Sequence, residues 1–293
     1  IFPSEALVMS YGSNFGSNVL SNRIHIGLRV ASYFAHHEGW LAERMAILGV
    51  TAPDGRKIYL AAAMPEDTGK TNMAMMVPTI PGWTVRCVSD DIAWIHIGED
   101  GKLWAVNPEA GFFDRTTGTS PHNSKSVISM LRRNAIFTNT ALTADGDVWW
   151  DGLTKSAPED VTDWCGEKWS PDSGKPAAHP NARYAAPATQ CPVIDPEWQN
   201  PNGVPISAIV FGYRRDTTYP LVFEASSWER GVLFGASISV QHGDTITRYP
   251  FGSGQYISYN VHDYLQHWLN MRQQAGYNIP KIFVVNWFRK GTK

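Results

Sequence analysis

Gly69-Lys70-Thr71, within "MPEDTGKTN" (64–72), has the residue types of a phosphate-binding loop. The apolar run "KIYLAAAM" (57–64) precedes it and "TNMAMM" follows. A strand, a Gly-containing loop and a helix start would aim backbone N–H groups at an anion. Lys70 would reach the β- and γ-phosphates, the Thr71 hydroxyl would take Mg²⁺, and Gly69 and Asn72 would complete the phosphate contacts. Asp90 follows a second apolar run, "TVRCV" (84–88), with Asp91 beside it. That is where the acidic partner of such a metal belongs. The full motif wants Gly six residues before the Lys, and Met64 stands there, so the pattern is incomplete. Glu66 and Asp67, just ahead of Gly69, would repel a triphosphate.

These groups need elements to hold them. Residues 57–64, 84–88, 206–211 and 281–285 read as strands, while 24–37 and the segment from His262 read as helices. Residues 159–190, rich in Pro, Ala, Gly and Trp, read as irregular. Strands and helices alternate unevenly, which predicts a mixed α/β core rather than a regular doubly wound sheet. The 293 residues suffice for one large domain or two modest ones, of which a single domain is the expectation, and no repeat or low-complexity tract appears.

Net charge is −2, which argues against a nucleic-acid partner held by bulk charge. No apolar run approaches a membrane span. Three cysteines without metal-like spacing, Cys87, Cys165 and Cys191, predict reduced thiols and a cytoplasmic protein. Cys87 reads as a small buried hydrophobe, His179 as structural, and Trp149 and Trp150 as strand or core.

Longer segments carry a resemblance. "GKTNMAMM", "PGWTVRCVSDDIAWI", "EGWLAERMAILG", "NPEAGFF", "AHPNARYAAPATQCP", "GVPISAIVFGYRR" and "PKIFVVNWFRK" occur in the order and with the residues of the GTP-dependent phosphoenolpyruvate carboxykinases. The resemblance covers nearly all of this chain but only the middle and later parts of that family's length. The family's N-terminal substrate domain is not among the matched segments. It implies a mixed-sheet mononucleotide-binding fold with a P-loop. It implies GTP as phosphoryl donor, on Lys70 and Thr71 with nucleotide-bound Mg²⁺, and Asp90 and Asp91 at the metals. It puts Asn181, Arg183 and Arg214 at the transferred phosphate and the substrate. Phe251 and Tyr256 match two of the rings that stack on guanine, and Asn260 lies near the Asn that reads the base.

The departures gather at the family's catalytic centre. Its second metal, Mn²⁺, is held by Lys, His and Asp. The Lys position holds Ile24, with Arg23 before it, and the His position holds Arg44. Ile has no donor atom and Arg stays protonated, so this metal is expected to be lost. Phe15-Gly16-Ser17 replaces Tyr-Gly-Gly, Glu66, Asp67 and Thr68 replace Ser, Ala and Cys, and the segment between Gly235 and Pro250 looks shorter than the family's lid.

The expectation drawn from these changes is a GTP-dependent kinase on the carboxykinase fold. Glu66 or Asp67 would serve as base, as an acidic residue does in the distantly similar HPr kinases. Arg44 would supply a fixed charge. Arg23, Asn181, Arg183 and Tyr213 would line the pocket of a small polar acceptor other than oxaloacetate. The alternatives are a genuine carboxykinase seen as a fragment and a nucleotide-binding pseudoenzyme. The oligomeric state is not legible.

Overall fold

The structure, a computed structural model, describes residues 1–9, 11, 24–65, 70–215 and 220–286. The single domain expected from the sequence divides into two compact units: residues 1–109 with 195–293, and residues 110–194.

The first unit is built on a nine-stranded mixed sheet. Its strands are β1 (Leu41–Glu43), β2 (Met45–Thr51), β3 (Lys57–Ala63), β4 (Thr84–Ser89), β5 (Ala93–Ile97), β6 (Leu103–Val106), β7 (Val204–Tyr213), β8 (Val222–Glu224) and β9 (Lys281–Asn286). The order runs β1-β5-β6-β7-β3-β2-β4, with β9 pairing both β7 and β8. This bears out the mixed α/β fold.

Strand β7 is parallel to both β3 and β9. Strand β2 is antiparallel to β3 and to β4, so β4 runs the same way as β3. The carboxyl ends of β3, β4, β7 and β9 therefore share one edge. Chain leaving that edge leads to Lys70, to Asp90 and Asp91, and to Arg214. Ligands of open α/β sheets bind outside such carboxyl ends.

The strands are apolar because both faces are covered: Ile47, Ala61, Ala63, Ile209, Phe211 and Val284 are all buried. Among the described residues four α-helices complete this unit: α1 (Ala31–Glu38), which continues a π-helical turn over His25–Val30, α2 (Lys70–Ala74), α3 (Trp228–Ala236) and α4 (Val261–Ala275). Trp228, Trp268, Tyr264 and Met271 carry α3 and α4 onto the sheet. A hairpin of Ser239–His242 and Thr245–Arg248 occupies the segment read as a shortened lid.

The second unit holds two small sheets. In one, Arg183–Pro187 lies between Gly111–Arg115 and Ile136–Thr138. In the other, strands of two residues surround Trp149, Val161 and Trp169. Residues 159–190 are thus not simply irregular: they contain a central strand. The strand reading of Trp149 is borne out, and Trp150 is buried beside it. Cys87 is buried, Cys191 is buried, Cys165 is exposed, and all three are free thiols. Among the described residues no helix is long and apolar enough to cross a membrane.

Candidate active site

Four polar side chains meet where β3 and β4 end. Lys70 and Thr71 open α2, and Asp90 and Asp91 follow β4. All four are buried, Asp90 to 1% exposure and Asp91 to 3%. The Lys70 ammonium contacts the Asp91 carboxylate and donates to its backbone carbonyl at 3.3 Å. The Thr71 hydroxyl donates to Asp90 Oδ2 at 3.3 Å. Burial pulls the Lys70 ammonium below its ordinary value and the Arg44 charge adds to that, while Asp91 opposes both. Charges this far out of water persist only when paired, and the pairing keeps them aimed at one spot.

Arg44 completes the cluster. It sits between β1 and β2, next to Met45, which pairs with Ala63 at the end of β3. Its Nε donates to Asp91 Oδ1 at 3.1 Å. Its backbone N–H donates to Ser253 Oγ at 2.7 Å, and its guanidinium lies 5.4 Å from the centre of the Tyr256 ring. The loop expected to bind a base and the Asp91 carboxylate are thereby joined through one side chain.

Behind Arg44 lies a feature the sequence reading did not single out. Glu43 is fully buried; it accepts from Tyr264 Oη at 2.5 Å and from Trp268 Nε1 at 3.1 Å. A charged residue inside the apolar run "WLAERM" was the available signal. Ser253, also fully buried, was missed because a lone Ser carries no pattern.

Several expected residues stand elsewhere. Tyr213 is not a pocket residue: it is 1% exposed and its hydroxyl donates to Phe234 O, with Ser237 Oγ at 2.9 Å. Phe251 belongs to the core. Its ring stacks on Trp268 at 4.9 Å and 6° and is 1% exposed, so no open face awaits a purine. Asn260 caps α4, accepting from the Asp263 backbone N–H at 2.9 Å. That cap engages its side-chain oxygen. Tyr256 remains half-buried on the site loop, and Asn72 is exposed on α2.

Arg214 ends β7. Its backbone N–H donates to Ser239 O at 3.2 Å and its carbonyl accepts from Gln241 at 2.8 Å, which ties this strand end to the hairpin. Asn181 and Arg183 belong to the second unit. There Arg183 donates to Asn181 Oδ1 at 2.6 Å, and its guanidinium packs over Phe113. His179 accepts from the Asn181 backbone N–H at 3.0 Å, in line with a structural role. Arg23, Glu66, Asp67 and Gly69 lie outside the described residues, as do Thr68 and Phe15-Gly16-Ser17.

Two metal positions can be tested against these donors. Thr71 Oγ1 and Asp90 Oδ2 are buried oxygen donors side by side, which suits a hard cation such as Mg²⁺ carrying nucleotide phosphates. The second position does not fit. Asp91 is engaged by two cations, and among the described residues no group of three or more His, Cys, Asp or Glu side chains could hold an ion.

Residues 40–293 match the phosphoenolpyruvate carboxykinase C-terminal P-loop domain. Curated relatives include the GTP phosphoenolpyruvate carboxykinase of Chlamydia pneumoniae, 50% identical over 100% of this chain and 50% of that protein. The cytosolic GTP enzyme of Bos taurus is 48% identical over 98% of this chain and 48% of its own. The Haemonchus contortus enzyme is 47% identical over the same shares of each. The chain spans about half the length of the curated relatives it matches. These matches overturn the expectation of a kinase for another acceptor. Relatives alike along the whole chain are named as carboxykinases, so altered residues at one centre do not establish a new acceptor. The base role expected of Glu66 or Asp67 falls with it.

Proposed function

Because this chain belongs to the family of GTP-dependent phosphoenolpyruvate carboxykinases, we propose that it carries the nucleotide-binding and phosphoryl-transfer part of that reaction. Oxaloacetate and GTP give phosphoenolpyruvate, GDP and CO₂. The buried cluster of Lys70, Thr71, Asp90 and Asp91 at the carboxyl edge of the sheet carries this reading.

Loss of CO₂ from oxaloacetate leaves an enolate, whose oxygen is already a nucleophile. No side-chain base is required, so the protein's task is positioning and charge stabilisation. Lys70 meets the charge on the β- and γ-phosphates once a nucleotide displaces it from Asp91. Thr71 and Asp90 would hold the nucleotide's Mg²⁺, which would neutralise phosphate charge. Arg214, just after β7, binds phosphoryl or carboxylate oxygens through its planar fork of donors, the role the family resemblance also gives Arg183. The acceptor is a small molecule, oxaloacetate. The name of the bovine relative places that protein in the cytosol, which supports a cytoplasmic location here.

The test is steady-state kinetics in the carboxylation direction, coupled to NADH oxidation. Lys70→Met is expected to lower kcat by about 10²–10³-fold, the usual loss when a donor to developing charge is removed. Wild-type turnover in Lys70→Met would show that this cluster is not the transfer site.

A further inference from the structure

We propose that Arg44 takes the place of a second divalent cation beside Asp91, so that the site works with one divalent ion, the one that arrives with the nucleotide. This inference rests on the carboxykinase reading for its chemistry and on local geometry for its charge.

The Asp91 carboxylate lies between two cations on different elements, Lys70 from α2 and Arg44 from the β1–β2 junction. Both are held in place. Lys70 is buried with its ammonium on the Asp91 carbonyl, and Arg44 is fastened by the Ser253 hydroxyl and laid over the Tyr256 ring. A divalent ion approaching Asp91 would displace one cation and face the other within a few ångströms. Asp90 and Asp91 carry two negative charges, and Lys70 and Arg44 carry two positive ones. Among the described residues these four charges therefore balance before any metal binds, whereas a metal cage needs surplus negative charge. Arg cannot shed its proton to become a ligand.

A guanidinium here supplies a fixed charge and directed N–H donors. It supplies no open coordination position, so it stabilises an oxyanion by hydrogen bonding instead of by inner-sphere bonding. Because the Arg44 guanidinium rests on Tyr256 and the Arg44 backbone N–H is held by Ser253, the charge next to Asp91 is positioned by the loop at 250–256.

Mn²⁺ titration followed by electron paramagnetic resonance tests this directly. The wild-type chain is expected to take up one Mn²⁺ per chain with GTP and none below millimolar concentrations without it. Arg44→Ala leaves the two carboxylates with one cation, and its nucleotide-free Mn²⁺ affinity is expected to rise by about tenfold or more. Arg44→Lys, which keeps the charge, should remain like wild type and so guards against a folding artefact. A second tight ion in the wild type, or unchanged affinity in Arg44→Ala, would overturn the proposal. Phosphoenolpyruvate formation is measured in parallel. Activity that tracks two Mn²⁺ ions defeats the Arg44 inference alone. One-ion binding with no phosphoenolpyruvate defeats the carboxykinase reading alone.

Discussion

The hydroxyl of Tyr264 donates to Oε2 of Glu43 at 2.5 Å, and both residues are sealed from water. Burial pushes the Glu43 carboxyl up from 4.5 to about 8, against hydrogen bonds from Tyr264, Ser253 and Trp268 that pull it down. The folded protein therefore holds a proton that the unfolded chain has released. The stabilisation is complete below the ordinary carboxylate value and is lost as pH rises through about 8. Its slope is at most about 1.4 kcal/mol per pH unit. His267 runs the other way, because burial and His36 lower it to about 4, so its contribution is lost as pH falls toward that value. Calorimetry of wild type against Glu43→Gln cancels the His267 effect. The variant is expected to lose less stability than wild type between about pH 5 and 8. Parallel curves would show that Glu43 carries no proton there.

Tyr213→Phe separates a packing role from a substrate role. The hydroxyl donates to Phe234 O at the end of α3, and Ser237 Oγ also donates to Phe234 O at 3.0 Å. Stability should fall by about 1 kcal/mol in urea denaturation, the usual net worth of a hydrogen bond. KM for oxaloacetate should stay within about twofold, since uniform binding is untouched. A large rise in KM would return Tyr213 to the pocket.

Gly235→Ala weighs helix propensity against packing. Alanine favours a helix by about 1 kcal/mol over glycine. Here its Cβ would stand 2.6 Å from Phe211 Cζ and 2.8 Å from Phe251 Cδ1, closer than carbons approach. Overpacking costs about 1–3 kcal/mol, so the clash is expected to win and the midpoint of chemical denaturation to fall. A stabilised variant would mean that α3 sits further from the sheet than described.

Much of the site's chemistry was legible, because it rests on short local patterns. Lys70 and Thr71 follow an apolar strand, and Asp90 and Asp91 follow another, so their meeting at one edge follows from parallel strand direction. The parity of Tyr213 was not legible. Strand β7 is buried on both faces, and an apolar strand of that kind shows no alternation from which to tell one side from the other. Phe251 was read from the resemblance alone; its stacking on Trp268 depends on a contact between distant parts of the chain. Asn260 was readable in part, since Asn followed three residues later by Asp is a helix-start signature. The strand Arg183–Pro187 escaped because it is flanked by Ala182 and Ala188 and ends in Pro, and its pairing partners lie far along the chain.

The most direct measurement is phosphorus NMR of the purified protein with GTP, Mg²⁺ and oxaloacetate, run beside Lys70→Met. A phosphoenolpyruvate signal that needs both substrates and fades in the variant is expected. A protein that binds GTP yet makes no phosphoenolpyruvate, or a variant that makes it as fast as wild type, would contradict the carboxykinase reading of this site.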